Sequence, residues 1–492
     1  MKDLSQLSAP LYQAARAFLG RGYISMHVPL HGRGPGAPHL VHSGLAPLLR
    51  WDFTEVENLD DLHLPVGALR KAQTLAARLF GAERSFFLVN GVTGGLLALL
   101  LALVRPGEKV LLSRLAHKAV LHGIMICGAV PVYLPIKREP RSGFPLNVTV
   151  ATVRAALQRH PDARLLLVTS PSYWGVTAEL KQMAELARDH GILFVVDEAH
   201  GAHLPFYGDL PHGAAAKADF WLHSGHKSLG ALTPGAFLHL GAAHPVQKLR
   251  FWLQAMQTSS PPYPVMISLD LARRQAALRG KTLFQRARHW AEQLRHALME
   301  ENFTLLCGEA VRDAGFALDP CRITLLLQHG GGLRLAKRLA QSCRLQVETA
   351  GENYLLAICG PAQLDISPRA LARATARVAP VSKPGFATPL SLLPPFCFAR
   401  KGGDGGNLDP FPLAPGVAAA MPAALLPLEE CAGRICAEMV VTAPPGIPLL
   451  APGERIAADM LAVLLQLRAR GSRFQGAADP TLRRIKVVTA GA

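Results

Sequence analysis

The sequence predicts an α/β fold built around a mostly parallel sheet. Short apolar runs of strand length recur between residues 85 and 240, and segments long enough for a helix separate most of them. Strands that are apolar along their whole length are typical of a sheet covered by helices on both faces. Ligands in such folds bind at the carboxyl ends of the strands, so the polar residues after each strand are the candidates for chemistry.

The elements follow in a clear order along the chain. A first helix is predicted over residues 65–80, because Pro65 opens the segment and apolar residues recur at helical spacing. The predicted strands are SFFLV (85–89), KVLLS (109–113), PVYL (131–134), RLLLVTS (164–170), ILFVVD (192–197), ADFWLH (218–223) and AFLHL (236–240). Further helices are predicted over residues 179–190 and 263–300.

The length of 492 residues suits two to four domains, at roughly 100–200 residues for each domain. We expect an N-terminal segment, a large domain, a small α/β segment, a Pro/Gly-rich linker and a C-terminal domain. Their expected bounds are residues 1–60, 61–290, 291–380, 381–419 and 420–492. The last domain carries a predicted helix over residues 456–470 and a closing strand over residues 485–489.

Composition excludes several classes of protein. Half of the residues are hydrophobic and 18% are charged, which excludes disordered, collagen-like and disulfide-stapled chains. The formal net charge of +17 permits an anionic partner without choosing one. Because 6% of residues are aromatic and no dense Lys/Arg run is interleaved with them, we expect no nucleic-acid partner.

Cysteine spacing and hydropathy indicate the compartment. The eight cysteines are scattered without a CxxC pair, a pattern typical of buried thiols in a reducing compartment. The N-terminus lacks an apolar signal region, and glycines and polar residues interrupt the least polar stretch, residues 86–104. We therefore expect a cytoplasmic protein without a membrane span.

Three strand ends carry candidate chemistry. Residues 90–95 (NGVTGG) precede an apolar helix, and glycines at a helix N-terminus can cradle a phosphate. The alternative there is a plain tight turn. Asp197 ends a predicted strand, where a buried carboxylate is costly unless it meets a cation. That cation is either a metal ion held within residues 197–203 or a ring cation on a ligand, and a purely structural loop is the third alternative.

The third strand end is Ser224-Gly225-His226-Lys227. A lysine in an apolar context loses its proton more easily than a solvated one and can then form a Schiff base. Alone, such a His-Lys pair is more typical of a solvated loop. A phosphate cradle, a buried acid and a Schiff-base lysine in this order are, however, what pyridoxal phosphate requires.

Several blocks of the sequence resemble the Orn/Lys/Arg decarboxylase family. They lie, in the family's order, at residues 59–95, 113–123, 169–176, 195–204, 224–239, 259–273 and 444–456. The last block, PPGIPLLAPGERI, is absent from other fold-type I enzymes such as aminotransferases. The resemblance implies a fold-type I, aspartate aminotransferase-like large domain and a smaller α/β C-terminal domain. It also implies decarboxylation of arginine, lysine or ornithine in polyamine-type metabolism, with pyridoxal 5'-phosphate as cofactor, by a homodimer or higher homo-oligomer.

The resemblance assigns roles to individual residues. Lys227 would carry the cofactor's aldehyde, Asp197 would pair with the pyridine nitrogen, and His117 would stack on the ring's other face. Either Lys227 or His226 would return a proton to the substrate's Cα. The other implied cofactor contacts are Thr93, Gly94, Ser224 and His226 at the phosphate end, Ala199 against the ring, and His200. No metal is implied.

The remaining candidates are acids that could contact the substrate and positions at which the chain departs from the family pattern. Glu454 is a candidate contact for the substrate's distal cation, and Asp60 and Asp61 are further acids to inspect because a +17 chain repels cationic substrates. The chain departs from the family's usual residue types at Leu30, Val92, Leu115, Ala119 and Ala443. Another pyridoxal-phosphate reaction (an aminotransferase or a lyase) and a non-catalytic regulatory relative remain alternatives.

Overall fold

The computed structural model describes residues 4–241, 244, 246–327, 330–379, 411–442 and 446–489. Its helices are α1 (Pro10–Gly20), α2 (Pro38–Val41), α3 (Ala46–Leu49), α4 (Ala68–Leu79), α5 (Gly91–Leu103), α6 (Lys118–Cys127), α7 (Val150–Arg159), α8 (Leu180–Asp189), α9 (Gly213–Ala216), α10 (Gly225–Ser228), α11 (Gln247–Met256), α12 (Tyr263–Glu300), α13 (Gly308–Asp313), α14 (Gly332–Cys343), α15 (Pro368–Val378), α16 (Pro415–Ala420) and α17 (Ala458–Ala469). Short 3-10 helices cover Leu204–Phe206, Pro361–Gln363 and Leu428–Glu430.

The strands alternate with these helices over most of the chain. They are β1 (Arg84–Leu88), β2 (Lys109–Ser113), β3 (Val130–Leu134), β4 (Ala163–Thr169), β5 (Val176–Thr177), β6 (Leu193–Asp197), β7 (Phe220–Ser224), β8 (Ala236–Leu240), β9 (Thr304–Leu305), β10 (Ala317–Leu318), β11 (Arg322–Leu326), β12 (Thr349–Ala350), β13 (Tyr354–Ile358), β14 (Ala423–Pro427), β15 (Val440–Val441), β16 (Pro448–Leu450) and β17 (Arg484–Val488).

The main sheet confirms the predicted fold class. It has seven strands in the order β1-β8-β7-β6-β4-β2-β3. Strand β2 pairs in parallel with β3 and β4, whereas β8 is antiparallel to both of its neighbours. The strands predicted from the apolar runs coincide with the strands of this sheet to within two residues at either end. The long apolar runs thus correctly predicted strands of a sheet that is buried on both faces.

The predicted helices are also present. Helices α4, α8 and α17 lie inside the predicted ranges, and α12 has the predicted bounds. Residues 301–375 form a smaller α/β segment, in which the four-stranded sheet β12-β13-β11-β9 carries α14 against β12 and β13. Most of the expected linker, residues 381–410, lies outside the described residues, and α16 falls in and just beyond the rest of it.

Internal contacts divide the chain into two compact units. The first comprises Met1–Leu103, Val196–Gly208 and His212–Thr282. The second comprises Val104–Val195, Asp209–Pro211 and Leu283–Ala492. The domain bounds expected from the sequence stay a prediction.

Helix α5 forms the core of the first unit. It packs against α11 and against β1, β7 and β8. A Cβ atom on Gly95 would lie 2.6 Å from Leu88 Cδ1 and 2.8 Å from Leu222 Cδ2, so glycine is what lets the helix approach the strands this closely. The last glycine of the NGVTGG segment is therefore explained by packing.

The structure also bears on the expectations about membrane spans and cysteines. In the described part of the chain, none of the helices is both long and apolar enough to cross a membrane. The cysteines there are free thiols, and Cys397 lies outside the described residues.

A buried ion pair anchors the N-terminal segment to α12. Asp270 and Arg273 have fully buried side chains, and Arg273 Nη2 lies 2.6 Å from Asp270 Oδ1. The Leu11 N–H donates to Asp270 Oδ2 at 2.9 Å, and Arg273 donates to the carbonyls of Gln6 and Ser8. Each charge thus has its partner and further hydrogen bonds, and removal of one partner would leave the other charge buried and uncompensated.

We expect Asp270→Ala to lower the free energy of unfolding by about 3–5 kcal/mol, because it leaves the Arg273 guanidinium buried without its counter-ion. Urea unfolding measures the change. Glu300→Ala is the matched control, since Glu300 is an exposed acid at the end of the same helix. Its expected effect is within about 0.5 kcal/mol. Equal effects of the two substitutions would contradict this role of the pair.

Candidate active site

The sheet register brings the three candidate strand ends to one edge. Leu88, the last residue of β1, and Ser224, the last residue of β7, are both register partners of Ala236 in β8. Strand β6 is the other neighbour of β7. The Ser224 N–H also donates to the Ala199 carbonyl, two residues beyond β6, at 3.4 Å. The residues that follow β1, β6 and β7 therefore lie together.

The start of α5 has the features of an anion site. Gly91, with φ of +68°, allows the chain to turn into α5 after the short segment Val89-Asn90 that follows β1. A Cβ on Gly94 would lie 3.0 Å from Asn90 Cβ and 3.4 Å from the Met256 carbonyl oxygen, so a larger residue would crowd this turn. Thr93 is exposed in the first turn. The first-turn N–H groups and the Thr93 hydroxyl suit a phosphate.

Asp197 ends β6 as a buried acid. Its side chain is 2% exposed, and Oδ1 accepts a hydrogen bond from the Ala199 N–H at 3.2 Å. Burial raises the pKa of Asp197, while the Lys227 charge and the Ala199 N–H act in the opposite direction. A further cation against this carboxylate would favour its ionised form. The site thus fits the protonated ring nitrogen of pyridoxal phosphate.

Lys227 is exposed on α10, which begins directly after β7. Its Nζ lies 2.9 Å from His200 Nε2. An ammonium can only donate, so His200 Nε2 accepts this bond and orients the lysine. The structure thus brings Lys227 and His200 together, with the buried Ala199 next to His200 in the chain.

His226 has its ring orientation fixed by the backbone. Nδ1 lies 3.1 Å from the Gly235 carbonyl oxygen, which can only accept, so Nδ1 carries the proton. Burial lowers the pKa of His226; the Gly235 hydrogen bond opposes this, and the Lys227 charge adds to it. The neutral ring therefore has an unprotonated Nε2, which can accept a hydrogen bond but not donate one.

The sequence analysis missed a buried polar chain behind these residues. Glu198 Oε2 lies 2.9 Å from His223 Nε2, His223 Nδ1 lies 3.1 Å from His239 Nε2, and His239 Nδ1 lies 2.7 Å from Ser85 Oγ. Each of the four side chains is at most 4% exposed. The available signal was a histidine within each of two otherwise apolar runs, FWLH (220–223) and AFLHL (236–240).

His117 lies in the second unit, where it caps α6. His117 Nδ1 accepts from the Ala119 N–H at 3.2 Å. The Lys118 N–H donates to the Gly446 carbonyl at 2.9 Å, and a Cβ on Gly446 would lie 2.8 Å from His117 Nε2. Gly446, in the block PPGIPLLAPGERI, therefore packs against the block that contains His117, although the two are distant in sequence.

Glu454 also lies in the second unit, where it is 7% exposed. Its Oε1 is 3.5 Å from Arg114 Nη2, and its Oε2 accepts from the Ala451 N–H at 3.0 Å. The Arg114 guanidinium stacks 4.5 Å from the centre of the Tyr133 ring. The acid is thus paired with a cation of its own chain, and its contact with a substrate stays a prediction.

Asp60 has a structural role in the first unit. Its carboxylate accepts backbone N–H groups at the start of α4 and is 5% exposed. The donors are Asp61, Val66, Gly67, Leu69 and Arg70. Asp61 in turn accepts from the His63 N–H at 2.7 Å. Three of these donors, Gly67, Leu69 and Arg70, belong to the N-cap and first turn of α4, so Asp60 caps the helix from the preceding segment.

The departures from the family pattern fall in different environments. Val92, Leu115 and Ala119 are buried, at 7%, 3% and 1% exposure, so these apolar side chains pack inside their units. Leu30 is 84% exposed. Ala443 lies outside the described residues. Among the residues that the structure describes, no group of three or more His, Cys, Asp or Glu side chains could hold a metal ion.

Comparison with known sequences covers nearly the whole chain. A profile of the Orn/Lys/Arg decarboxylase major domain matches residues 9–325, and a profile of the C-terminal domain of the same family matches residues 417–480. Arginine decarboxylase of Bacillus subtilis (strain 168) is 31% identical over 498 residues, which cover 99% of this chain and 99% of that protein.

Solved structures agree on the fold. The crystal structure of the Francisella novicida lysine decarboxylase LdcF superposes with a TM-score of 0.83 at 18% identity, covering 98% of this chain and 81% of that one. Alanine–glyoxylate aminotransferase from Nostoc sp. has a TM-score of 0.51 at 19% identity and covers 63% of this chain and 86% of that one. The predicted aspartate aminotransferase-like fold with an added C-terminal part is confirmed. The chain belongs to the Orn/Lys/Arg decarboxylase family.

Proposed function

We propose that this protein is a pyridoxal-phosphate-dependent decarboxylase that converts arginine, lysine or ornithine to the corresponding amine and CO2. The observation that carries the proposal is the single sheet edge that holds an exposed Lys227, a buried Asp197 and the start of α5. The relative named arginine decarboxylase, which matches along the whole chain, supports arginine as the first substrate to test.

Each residue of the edge has a distinct task. Pyridoxal phosphate, when bound, supplies an aldehyde for the substrate amine and a protonated ring that accepts the electron pair left by CO2. Thr93, Gly94 and Ser224 would hold its phosphate at the start of α5 and the end of β7. Asp197 would keep the ring nitrogen protonated, because a buried carboxylate favours a cation beside it. Ala199 would pack against the ring.

The proton that replaces the carboxylate on the substrate's Cα comes, in this proposal, from Lys227. Neutral His226 carries its proton on Nδ1, where the Gly235 carbonyl accepts it. Its Nε2 then has no proton to give, whereas the Lys227 amine is a donor in reach of solvent. His200 holds that amine in place through its Nε2. His226 would then meet the phosphate end of the cofactor only as an acceptor, through Nε2, from a protonated phosphate oxygen.

The family resemblance also assigns roles to His117 and Glu454. His117 would stack on the cofactor ring, with its orientation held by the Ala119 N–H on one side and Gly446 on the other. Glu454 would contact the distal cation of the substrate, in competition with its present partner Arg114.

The proposed setting of the enzyme is cytoplasmic, in polyamine-type metabolism. We further propose that it works as a homodimer or a higher homo-oligomer, as its family resemblance implies. Light scattering on the purified protein measures the assembly directly, and a mass of one chain at working concentration would contradict this part of the proposal.

We expect Lys227→Ala to abolish decarboxylation by at least about 10³-fold, because no other amine replaces the lysine that carries the aldehyde. Release of CO2 and of the amine, measured with arginine, lysine, ornithine and a diamino acid control, tests the variant and identifies the substrate. The matched control is Lys217→Ala, an exposed lysine of the same unit outside the site. Turnover by Lys227→Ala at the wild-type rate would contradict the proposal, and keto-acid formation by the wild type would indicate an aminotransferase instead.

We expect Gly446→Ala to destabilise the protein by about 1–3 kcal/mol more than Gly471→Ala, because only the first methyl group collides with another side chain. Both glycines have positive φ (+79° and +75°) and share the same backbone cost, but Gly471 has open space around its Cβ position. Urea unfolding measures the difference.

A double-mutant cycle assigns that difference to His117. In a His117→Ala background the two glycine substitutions should have equal effects, since the ring that meets the new methyl group is gone. An excess cost of Gly446→Ala that persists in this background would show that His117 is not the group being displaced.

A further inference from the structure

Asp197 ends β6 and Glu198 follows it directly, and only the first of these two carboxylates has a task in the proposed reaction. Asp197 and Glu198 are 2% and 0% exposed. Asp197 faces the charge of Lys227. Glu198 accepts the Gly213 N–H, at 3.3 Å on Oε1 and 3.2 Å on Oε2, and lies 2.9 Å from His223 Nε2. The two neighbouring acids thus have different electrostatic surroundings.

The hydrogen-bonded series Glu198–His223–His239–Ser85 is surrounded by aromatic side chains. The Phe80 ring lies 5.0 Å from the His223 ring and 4.9 Å from the His239 ring, and Trp221 stacks on His239 at 5.3 Å. Burial lowers the pKa of His223 to about 3 and that of His239 well below its usual value. Both imidazoles are therefore neutral near neutral pH, and neither supplies Glu198 with a positive charge.

With both imidazoles neutral, the protons along this hydrogen-bonded series can be placed in two ways. If Glu198 is ionised, Ser85 Oγ–H donates to His239 Nδ1, His239 Nε2–H to His223 Nδ1, and His223 Nε2–H to Glu198, with a net charge of −1. If Glu198 is protonated, it donates to His223 Nε2, and each of the other bonds reverses so that His239 Nδ1–H donates to Ser85 Oγ. The second arrangement holds one more proton and has no net charge.

Burial of all four side chains in this series decides between the two proton arrangements. An ionised carboxylate with no exposed surface and neutral partners carries a large desolvation cost, and it would lie next to a second ionisable carboxylate, Asp197. The groups that face Glu198 are His223, His212, His203 and Asp197. Burial raises the pKa of Glu198 to about 8, although His212, the Gly213 N–H and His203 oppose the shift.

We propose that Glu198 is a positioning residue that acts as a neutral carboxylic acid, so that Asp197 is the single anion of the pair at the cofactor's ring nitrogen. The inference rests on the proposed function for the role of Asp197. In this arrangement Glu198 ties the turn after β6 to β7 through His223 and to α9 through Gly213. That turn carries Asp197 and Ala199, so Glu198 holds the cofactor contacts in place without adding charge.

Infrared spectroscopy of the cofactor-free protein tests the protonation state directly. We expect a carbonyl band of a protonated carboxylic acid at pH 7 that shifts when glutamate is labelled with carbon-13, and that is lost as the pH rises through about 8. The glutamate label separates this band from any band of Asp197 in the wild-type protein, so no variant needs to fold. Absence of a glutamic acid band at pH 7 would overturn the proposal.

Measured affinity for pyridoxal phosphate compares the roles of Asp197 and Glu198 in cofactor binding. We expect Asp197→Asn to weaken the binding of pyridoxal phosphate by about ten- to a thousand-fold, because the ring cation loses its counter-ion. Glu198→Leu should also weaken it, since it removes the tie to His223. Glu198→Gln should restore the affinity to within about three-fold of the wild type, because its amide N–H donates to His223 Nε2 as the acid does. Glu198→Gln as damaging as Asp197→Asn would overturn the neutral role.

The two hypotheses fail in distinguishable ways. A glutamic acid band at pH 7 in a protein that does not bind pyridoxal phosphate would contradict the proposed function and leave the neutral Glu198 standing. Binding and decarboxylation without that band would uphold the function and overturn the inference.

The pH dependence of stability gives a further check. Between the usual glutamate pKa of 4.5 and about 8, the folded protein holds a proton on Glu198 that the unfolded chain releases. Stability from this group is therefore complete below about 4.5 and is lost as the pH rises toward 8. Glu198→Gln should flatten that decline in urea unfolding measurements, and an unchanged decline would count against the inference.

Discussion

The cost of burying two carboxylates at the end of a central strand is the constraint on which the site depends. Asp197 and Glu198 are consecutive and both are buried. An isolated ion in such a place is expensive, so each acid needs either a cation or a proton. The surroundings supply one solution for each: the lysine charge lies toward Asp197, and the neutral histidine chain lies toward Glu198.

The register of the sheet turns that local chemistry into a site. Ala236 pairs with the last residues of β1 and β7, so the start of α5 and the lysine on α10 reach the same edge. Glycines then set how closely the elements approach each other. Gly95 brings α5 onto the strands, and Gly213, whose Cβ would lie 2.7 Å from Trp221 Cβ, lets its N–H reach Glu198. Positions of this kind tolerate no side chain for steric reasons.

Part of the net charge of +17 comes from two helices without acidic residues. Helices α14 and α15 pack on each other and carry exposed lysine and arginine without an acidic residue in either helix. The proposed cationic substrate gains nothing from such a surface at long range. Local pairs matter more, as with Arg114 and Glu454, where two buried charges face each other in the second unit.

The sequence by itself determined the strands, the long helix and the residues at the three strand ends, because apolar periodicity and the order of motifs are properties of the chain. It also determined the family, through blocks spread over nearly its whole length. Tertiary structure alone decided the partners of the acids. The pairing of Glu454 with Arg114 and the hydrogen-bonded series from Glu198 to Ser85 join residues distant in sequence. Such hydrogen bonds depend on strand register and close packing, which no local pattern of residues encodes.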